Sequence, residues 1–324
     1  MSVLSNIRRP VEKEMAEFEK YFSNTMRSNI PLLRIVLNYI LRRKGKQMRP
    51  MLVLLSSKLY GDIEEPSFVA ATLIELLHTT SLVHDDVVDD AHERRGALSI
   101  NALWNSKIAV LVGDYMLSRG LLVSVEKGRY DMLEIVSEAV KAMTEGELLQ
   151  LQKSRKLNIT EEDYFSIIRM KTAALTAACT ECGAKAVTDD ADILQNMKLF
   201  GETIGVAFQI RDDVLDYEAN GFTGKPAGND IKEKKITLPL IHVLQKCDRG
   251  TRNEILKIIR TNKKSASEVR RVVDLVYQYG GIDYAVEMMH LYRDKALAIL
   301  DTCPPGDAND SLRQFVLYTT SRKK

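Results

Sequence analysis

The sequence predicts an all-α protein, a single large helical bundle covering residues 1–324. Three observations predict it. Apolar residues recur at helical spacing almost everywhere, period-two alternation bounded by turns is hard to find, and chain breakers are few and lie between the periodic runs. With 324 residues, 45% of them apolar and 28% charged, the chain can bury a sizeable core.

The elements follow in order. Pro31 opens a run carrying Leu32, Ile35, Val36, Tyr39 and Leu41, which Gly45 and Pro50 interrupt. After Gly61 and Pro66 comes a run with Ala70, Leu73, Ile74, Leu77 and Leu82, bounded by Gly96. Beyond Gly128 lie Leu133, Val136, Ala139, Val140 and Met143, and later Ile204, Ala207, Phe208, Val214 and Leu215. Pro239 starts another helix, and Gly280-Gly281 and Pro304-Pro305-Gly306 separate the last ones. Ten or more helices with short connections make a bundle, and with no low-complexity linker one domain is expected. The longest polar interruption, Asn220 to Lys235, is a candidate active-site loop.

Several function classes fall away. A formal net charge of +2 gives no support to a nucleic-acid binder. No uninterrupted apolar run approaches the roughly 20 residues that span a bilayer, so no transmembrane segment is expected. Met1 to Arg27 lacks a signal-peptide core, and its Glu12, Glu14, Glu17 and Glu19 are unlike a transit peptide, so a cytoplasmic location is expected. Four cysteines fit reduced thiols, and Cys179 with Cys182 reads as two small core residues one turn apart rather than a metal or redox pair. The basic end Arg322-Lys323-Lys324 reads as a solvated tail.

Two aspartate clusters carry the chemistry: Asp85-Asp86-Val87-Val88-Asp89 and Asp212-Asp213-Val214-Leu215-Asp216. On a helix, Asp85 and Asp89 stand one turn apart on one face, about 6 Å along the axis, as do Asp212 and Asp216, while Asp86 and Asp90 repeat the arrangement. Each cluster ends an apolar run, so the second is expected to point inward. Buried like charges at this spacing are costly, and hard divalent cations relieve the cost through carboxylate oxygens. The expected metal is Mg²⁺, which keeps positions for water or substrate phosphates. A calcium EF-hand lacks its loop glycine and final glutamate here.

Three basic groupings complete the picture. Gly45-Lys46-Gln47-Met48-Arg49-Pro50 places Lys46 and Arg49 on a turn entering a helix, where backbone amides also favour anions. Arg94-Arg95-Gly96 follows the first cluster directly, and Lys225 and Lys235 flank the long loop, with Lys171-Thr172 on another helix. Carboxylates for metal plus separate Lys and Arg groups suit two diphosphates, one metal-bridged and one held by cations alone. Glycine patterns of nucleotide-binding loops are missing.

In these motifs the sequence resembles the trans-polyprenyl diphosphate synthase family, class I isoprenoid prenyltransferases. The resemblance runs from Gly45 to Pro239 in the family's order, including Gly113-Asp114, Phe208-Gln209, Gly224-Lys225 and Lys235-Ile236-Thr237-Leu238-Pro239. It implies a homodimer of all-α, isoprenoid-synthase-type subunits, each with a central apolar cavity. It also implies Mg²⁺, up to three ions per site, on Asp85, Asp89 and Asp212, with Asp86 and Asp216 beside them. Lys46, Arg49, His78 and Arg95 would hold isopentenyl diphosphate. Arg94, Lys171, Thr172, Gln209, Lys225 and Lys235 would contact the allylic diphosphate. Three positions depart from the family pattern: Lys44 and Gln47 replace a usual glycine and basic residue, and Lys234 stands where a glycine is common.

The growing product would run beneath Asp85 past Ser81, Thr80 and Leu77. The small residues there, with Ala174, Ala177 and Ala178, imply a chain beyond C20, whereas closure by Leu77 or Ile74 would stop it at C20. His84 reads as a packing residue, and His92, His242 and His290 receive no role. A terpene cyclase shares the fold but normally alters the second cluster and lacks Lys46, Arg49 and Arg95. A non-catalytic subunit usually loses one cluster.

Overall fold

The computed structural model of the protein describes residues 3–43, 45–94, 96–218 and 228–322. Among these, seventeen α-helices are accompanied by one hairpin of two-residue strands, a 3₁₀ turn and a π-helical turn, so the all-α expectation holds. In chain order they are α1 (Val3–Arg8), the 3₁₀ turn Arg9–Val11, α2 (Glu12–Thr25), α3 (Pro31–Arg42), α4 (Met48–Tyr60) and α5 (Glu65–Val88). Strands β1 (Glu93–Arg94) and β2 (Ala97–Leu98) precede α6 (Ile100–Trp104), α7 (Ser106–Glu126), α8 (Tyr130–Lys156) and α9 (Glu161–Ile168). The π-helical turn Arg169–Ala173 leads into α10 (Ala174–Lys185), α11 (Ala191–Glu218), α12 (Asn229–Lys232) and α13 (Leu238–Lys246). Helices α14 (Arg249–Arg260), α15 (Ala266–Gln278), α16 (Gly281–Asp301) and α17 (Asp307–Ser321) complete the chain. The breakers act as expected: Pro31, Pro66 and Pro239 occupy first-turn positions, where a missing N–H costs nothing. Pro50 does not interrupt but lies in the first turn of α4 for the same reason.

The contacts gather into two compact units. The first comprises Met1–Glu138, Ala178–Lys198 and Cys303–Leu312. Its centre is α5, whose Val69, Leu73, Ile74 and Leu76 are buried, with α4 and α7 packed on it. Helices α5 and α7, of 24 and 21 residues, are long and apolar enough to cross a membrane by length and composition, as buried core helices also can be. In α5 the apolar face is spent on this unit's own core.

The second unit comprises Ala139–Ala177, Leu199–Thr302 and Arg313–Lys324. Its core joins Ile168, Val206, Ile210, Val214 and Tyr217 to Leu240, Ile241, Ile255, Val272, Val276 and Met289. Two glycines of this unit make close approaches to the π-turn. A Cβ on Gly146 of α8 would lie 2.8 Å from the Lys171 nitrogen, and one on Gly205 of α11 would lie 2.5 Å from Ala173 Cα. Both glycines therefore let helices press directly on the backbone of the π-turn.

Candidate active site

The first aspartate cluster closes α5. Asp89 is the C-cap, Asp90 turns left-handed with φ of 50°, and Ala91 N–H donates to Asp86 O at 2.9 Å. This arrangement satisfies the last carbonyls of α5. It also corrects one expectation, because Asp90 leaves the helix and does not pair with Asp86 on its face. Asp85 and Asp89 remain one turn apart, joined by the Asp89 N–H to Asp85 O bond of 2.8 Å, and both side chains are exposed. The buried carboxylate is Asp86, which accepts from Arg94 Nε at 2.6 Å.

Arg94 is delivered by the hairpin, where it pairs with Ala97, and Gly96 beside it has φ of 72°. Arg95, expected to bind isopentenyl diphosphate, lies outside the described residues, as does Lys44. On α4, Gln47 is a left-handed N-cap with φ of 49°, which leaves Lys46 before the helix and Arg49 in its first turn, as expected. Arg49 Nη1 is 3.0 Å from His78 Nε2, so two of the four residues expected to hold that diphosphate meet directly. A Cβ on Gly113 of α7 would sit 2.2 Å from His84 Nε2, so the imidazole packs directly on this glycine. His84 is thus a packing residue, 3.4 Å from Val110 O.

Asp86 and Arg94 line a cavity of about 280 Å³ with Tyr39, Arg42, Arg43, Thr79 and Leu82, among others. The residues expected to line the product path sit elsewhere on α5. Thr80 is buried with its hydroxyl 3.5 Å from Gly113 O, Ser81 donates to His78 O at 2.9 Å, and Leu77 is buried.

The second cluster lies near the end of α11. Asp212 is half-exposed and pairs with Arg322. Asp213 is buried and accepts from Tyr164 Oη at 2.6 Å and Gln209 Nε2 at 2.8 Å, while the Gln209 carbonyl accepts from Thr172 Oγ1 at 2.8 Å. Asp216 accepts from the backbone amides of Asn229 and Asp230, both at 3.1 Å, and so anchors α12. The inward orientation expected of this cluster holds fully for Asp213 and partly for the other two. Lys171 projects from the π-turn, donates to Gln150 Oε1 at 2.7 Å and pairs with Glu147. Lys235 pairs with Glu233 at 2.6 Å.

One cavity of about 90 Å³ is lined by Gln150, Tyr164, Lys171, Thr172, Gln209, Asp213, Asp230 and Lys235, among others. Lys225 and Gly224, in the first part of the loop, lie outside the described residues. The second part is no open loop but contains α12, ended by Lys234 with φ of 62° and the bond from Lys235 N to Asp230 O at 2.8 Å. That left-handed turn explains why a glycine suits position 234.

Charge is concentrated here. Burial pushes Asp213 up to about 8, with Asp230 adding repulsion, and burial followed by the Asp216 charge pushes Asp230 up to about 6. Burial also raises Asp216. For Lys235 burial opposes the charge, yet the hydrogen bond to Glu233 and the surrounding acids outweigh it and raise the pKa. Burial raises the Cys179 thiol to about 12 and Cys182 likewise above the usual range, so this pair is inert core.

Among the described residues no group of three or more His, Cys, Asp or Glu side chains is drawn together as an ion cage. Asp86, Asp212, Asp213 and Asp216 are each turned to another partner, as described. The donor set nevertheless fits a hard dication, since both clusters offer carboxylate oxygens and Asp85 and Asp89 are exposed. Sequence reasoning missed Tyr164, Glu147, Gln150 and Asp230. Only Asp230, an acid inside the long loop, had a sequence signal. It also misplaced Arg322, which is not a solvated tail residue: its side chain is 14% exposed.

Residues 30–276 match the family model for polyprenyl synthetase. The chain belongs to the polyprenyl synthetase family. This membership makes it an enzyme, a prenyltransferase that condenses isopentenyl diphosphate with an allylic diphosphate. Among polyprenyl synthetase relatives, the all-trans-nonaprenyl-diphosphate synthase (geranyl-diphosphate specific) of Rhodobacter capsulatus is 34% identical, over 95% of this chain and 94% of its own. The crystal structure of a polyprenyl synthase from Caulobacter crescentus CB15, complexed with calcium and isoprenyl diphosphate, has a TM-score of 0.90 and 31% identity, covering 99% and 98% of the two chains. The geranylgeranyl pyrophosphate synthase of Bacteroides thetaiotaomicron has a TM-score of 0.84 and 36% identity, covering 99% and 100%.

Proposed function

We propose that the protein is a Mg²⁺-dependent trans-polyprenyl diphosphate synthase whose product exceeds C20, a quinone side-chain precursor, and that residues 1–324 act as one catalytic domain. The observation that carries this reading is the second-unit cavity, where Lys171, Thr172, Gln209 and Lys235 meet Asp213 and Asp230. Lysines set among ionisable acids suit a metal–diphosphate substrate, which supplies both charges each side lacks.

In this reading Asp85, Asp89 and Asp212 would hold Mg²⁺, with Asp86 and Asp216 completing the metal set. When bound, the metal stabilises the negative charge that develops on the departing diphosphate. Lys171 and Lys235, with Arg94 and Lys225, donate hydrogen bonds to that diphosphate as its carbon–oxygen bond breaks. Thr172 and the Gln209 carbonyl lie beside the allylic cation, and Asp213 fixes the Gln209 amide through its Nε2 hydrogen bond. Lys46, Arg49, His78 and Arg95 hold isopentenyl diphosphate so that its double bond meets the cation at near-attack distance. The released diphosphate takes the proton that completes the new double bond, so no side-chain base is required.

The nonaprenyl synthase supports a long product, and Ser81 with Thr80 and Leu77 would line its path. The 36% identity to a geranylgeranyl pyrophosphate synthase supports a second reading, in which extension stops at C20. Both aspartate clusters are intact, which argues against a terpene cyclase or a non-catalytic subunit. A second copy of the chain is the expected partner. Leu111, Leu121, Leu122 and Val125 of α7 are between 40% and 58% exposed, more apolar surface than one copy needs to leave uncovered. A cytoplasmic location fits the free cysteines.

Incubation with Mg²⁺, farnesyl diphosphate and labelled isopentenyl diphosphate should transfer label to an extractable lipid longer than C20. No label would end the enzyme reading, and a product no longer than C20 would end the long-chain one. Asp85→Ala and Asp212→Ala should each lower turnover by about a hundredfold or more with the helical circular dichroism unchanged, and Ser81→Phe should shorten the product.

A further inference from the structure

Arg322 folds back from the end of α17 onto the second aspartate cluster. Its guanidinium pairs with Asp212 Oδ1 and lies 4.0 Å from the centroid of the Phe208 ring. Its carbonyl oxygen accepts from Arg211 Nε and Nη2 at 3.1 and 2.9 Å. Arg211 in turn forks onto Glu218 at 3.2 and 3.1 Å. The backbone of residue 322 is therefore clamped from one turn of α11 while its side chain covers a neighbouring carboxylate. Arg322 Nε is buried with no hydrogen-bond partner among the described residues. An orphaned N–H is costly, so the ion pair and the aromatic face must hold the side chain where it is.

The covered oxygen belongs to a carboxylate assigned above to Mg²⁺. Direct coordination would bring a dication to about 2.1 Å from that oxygen. A guanidinium on the same atom would then lie a few ångströms from two further positive charges, and the two cations cannot share it without strong repulsion. We propose that Arg322 is a built-in counter-ion and positioning residue for Asp212, one that a divalent cation displaces on binding. It rests on the reading of Asp212 as a metal ligand. Until displacement, Arg322 holds the Asp212 rotamer and balances its charge. On displacement, the Arg322 side chain leaves Asp212 and the Phe208 ring while Arg211 still holds its carbonyl oxygen. Metal binding at the second cluster is thereby coupled to movement of this side chain.

The test uses the full chain without substrate and needs no turnover. Mn²⁺ affinity is measured by electron paramagnetic resonance in the unmodified protein and in Arg322→Gln, Arg322→Lys, Asp212→Asn and the Arg322→Gln/Asp212→Asn double variant. Removing the competing cation should tighten binding about three- to tenfold, a modest gain because the pair is partly solvent-screened. Arg322→Lys should return the affinity toward the unmodified value, and the gain should vanish in the double variant. If Asp212→Asn binds Mn²⁺ as well as the unmodified chain, Asp212 is no ligand and the inference falls with that assignment. If Asp212→Asn weakens binding while Arg322→Gln is no tighter, the counter-ion role alone is overturned.

Discussion

Gly205→Ala should damage turnover far more than it damages the fold. A methyl group on Gly205 would sit 2.5 Å from Ala173 Cα and 2.7 Å from its Cβ. Ordinary carbon contacts are about 3.5–4.0 Å, so the overlap is about 1 Å, against backbone rather than a rotatable side chain. Overpacking of this kind costs about 1–3 kcal/mol. The better helix propensity of alanine returns up to about 1 kcal/mol, so the net loss of stability is small. The π-turn must then shift by about 1 Å, carrying Lys171 and Thr172 with it, and a misplacement of that size costs about a hundredfold in rate. The assay is the initial rate of labelled isopentenyl diphosphate incorporation beside a thermal melt. The expected result is a kcat lowered by about ten- to a hundredfold, with KM for isopentenyl diphosphate little changed because Lys46 and Arg49 belong to the other unit. Gly183→Ala is the control: its Cβ would meet Val53 O at 2.4 Å in the first unit, so it should cost comparable stability while sparing kcat. A destabilised Gly205→Ala enzyme with kcat within about twofold of normal would refute the idea that this contact aims the π-turn.

Tyr164→Phe removes the 2.6 Å bond to Asp213 and leaves a buried carboxylate short of one donor. It should cost about 1–3 kcal/mol of stability and lower kcat, since Gln209 then leans on a less ordered partner; an unchanged melt would show that the bond contributes nothing. Stability of the metal-free protein should fall with rising pH. Asp213 and Asp230 have folded-state values of about 8 and about 6, above an ordinary aspartate near 3.9, so the stability they contribute is fully present below about pH 4. It is lost as pH rises through 6 and then 8. Melting temperatures between pH 5 and 9 check this, and Asp230→Asn should flatten the lower half of the decline, whereas an identical slope would remove Asp230 from the account.

The helices were legible because each buries one stripe, and a stripe on a helix leaves a periodic mark in the chain, as Leu73, Ile74 and Leu77 do for α5. The aspartate clusters were legible for a related reason: residues four apart on a helix share a face whatever surrounds them. Family likeness extended this to Lys171, Thr172, Gln209 and Lys235, which line one cavity. The likeness also marked Gln47 and Lys234 as departures, and both occupy left-handed backbone that only the three-dimensional turn explains.

What the chain could not declare is which way each carboxylate turns. Asp86 faces Arg94, Asp213 faces Tyr164 and Gln209, Asp216 caps α12, and Asp212 meets Arg322, 110 residues away. Nor could it declare the π-turn, which is defined by backbone hydrogen bonds rather than by residue type. Gly146 and Gly205 acquire meaning only through what presses on them. The sequence by itself determined which chemistry the protein carries, since type and local spacing suffice for that. Only the tertiary structure decided the burial, pairing and charge state of each group, because these depend on neighbours brought together from distant parts of the chain.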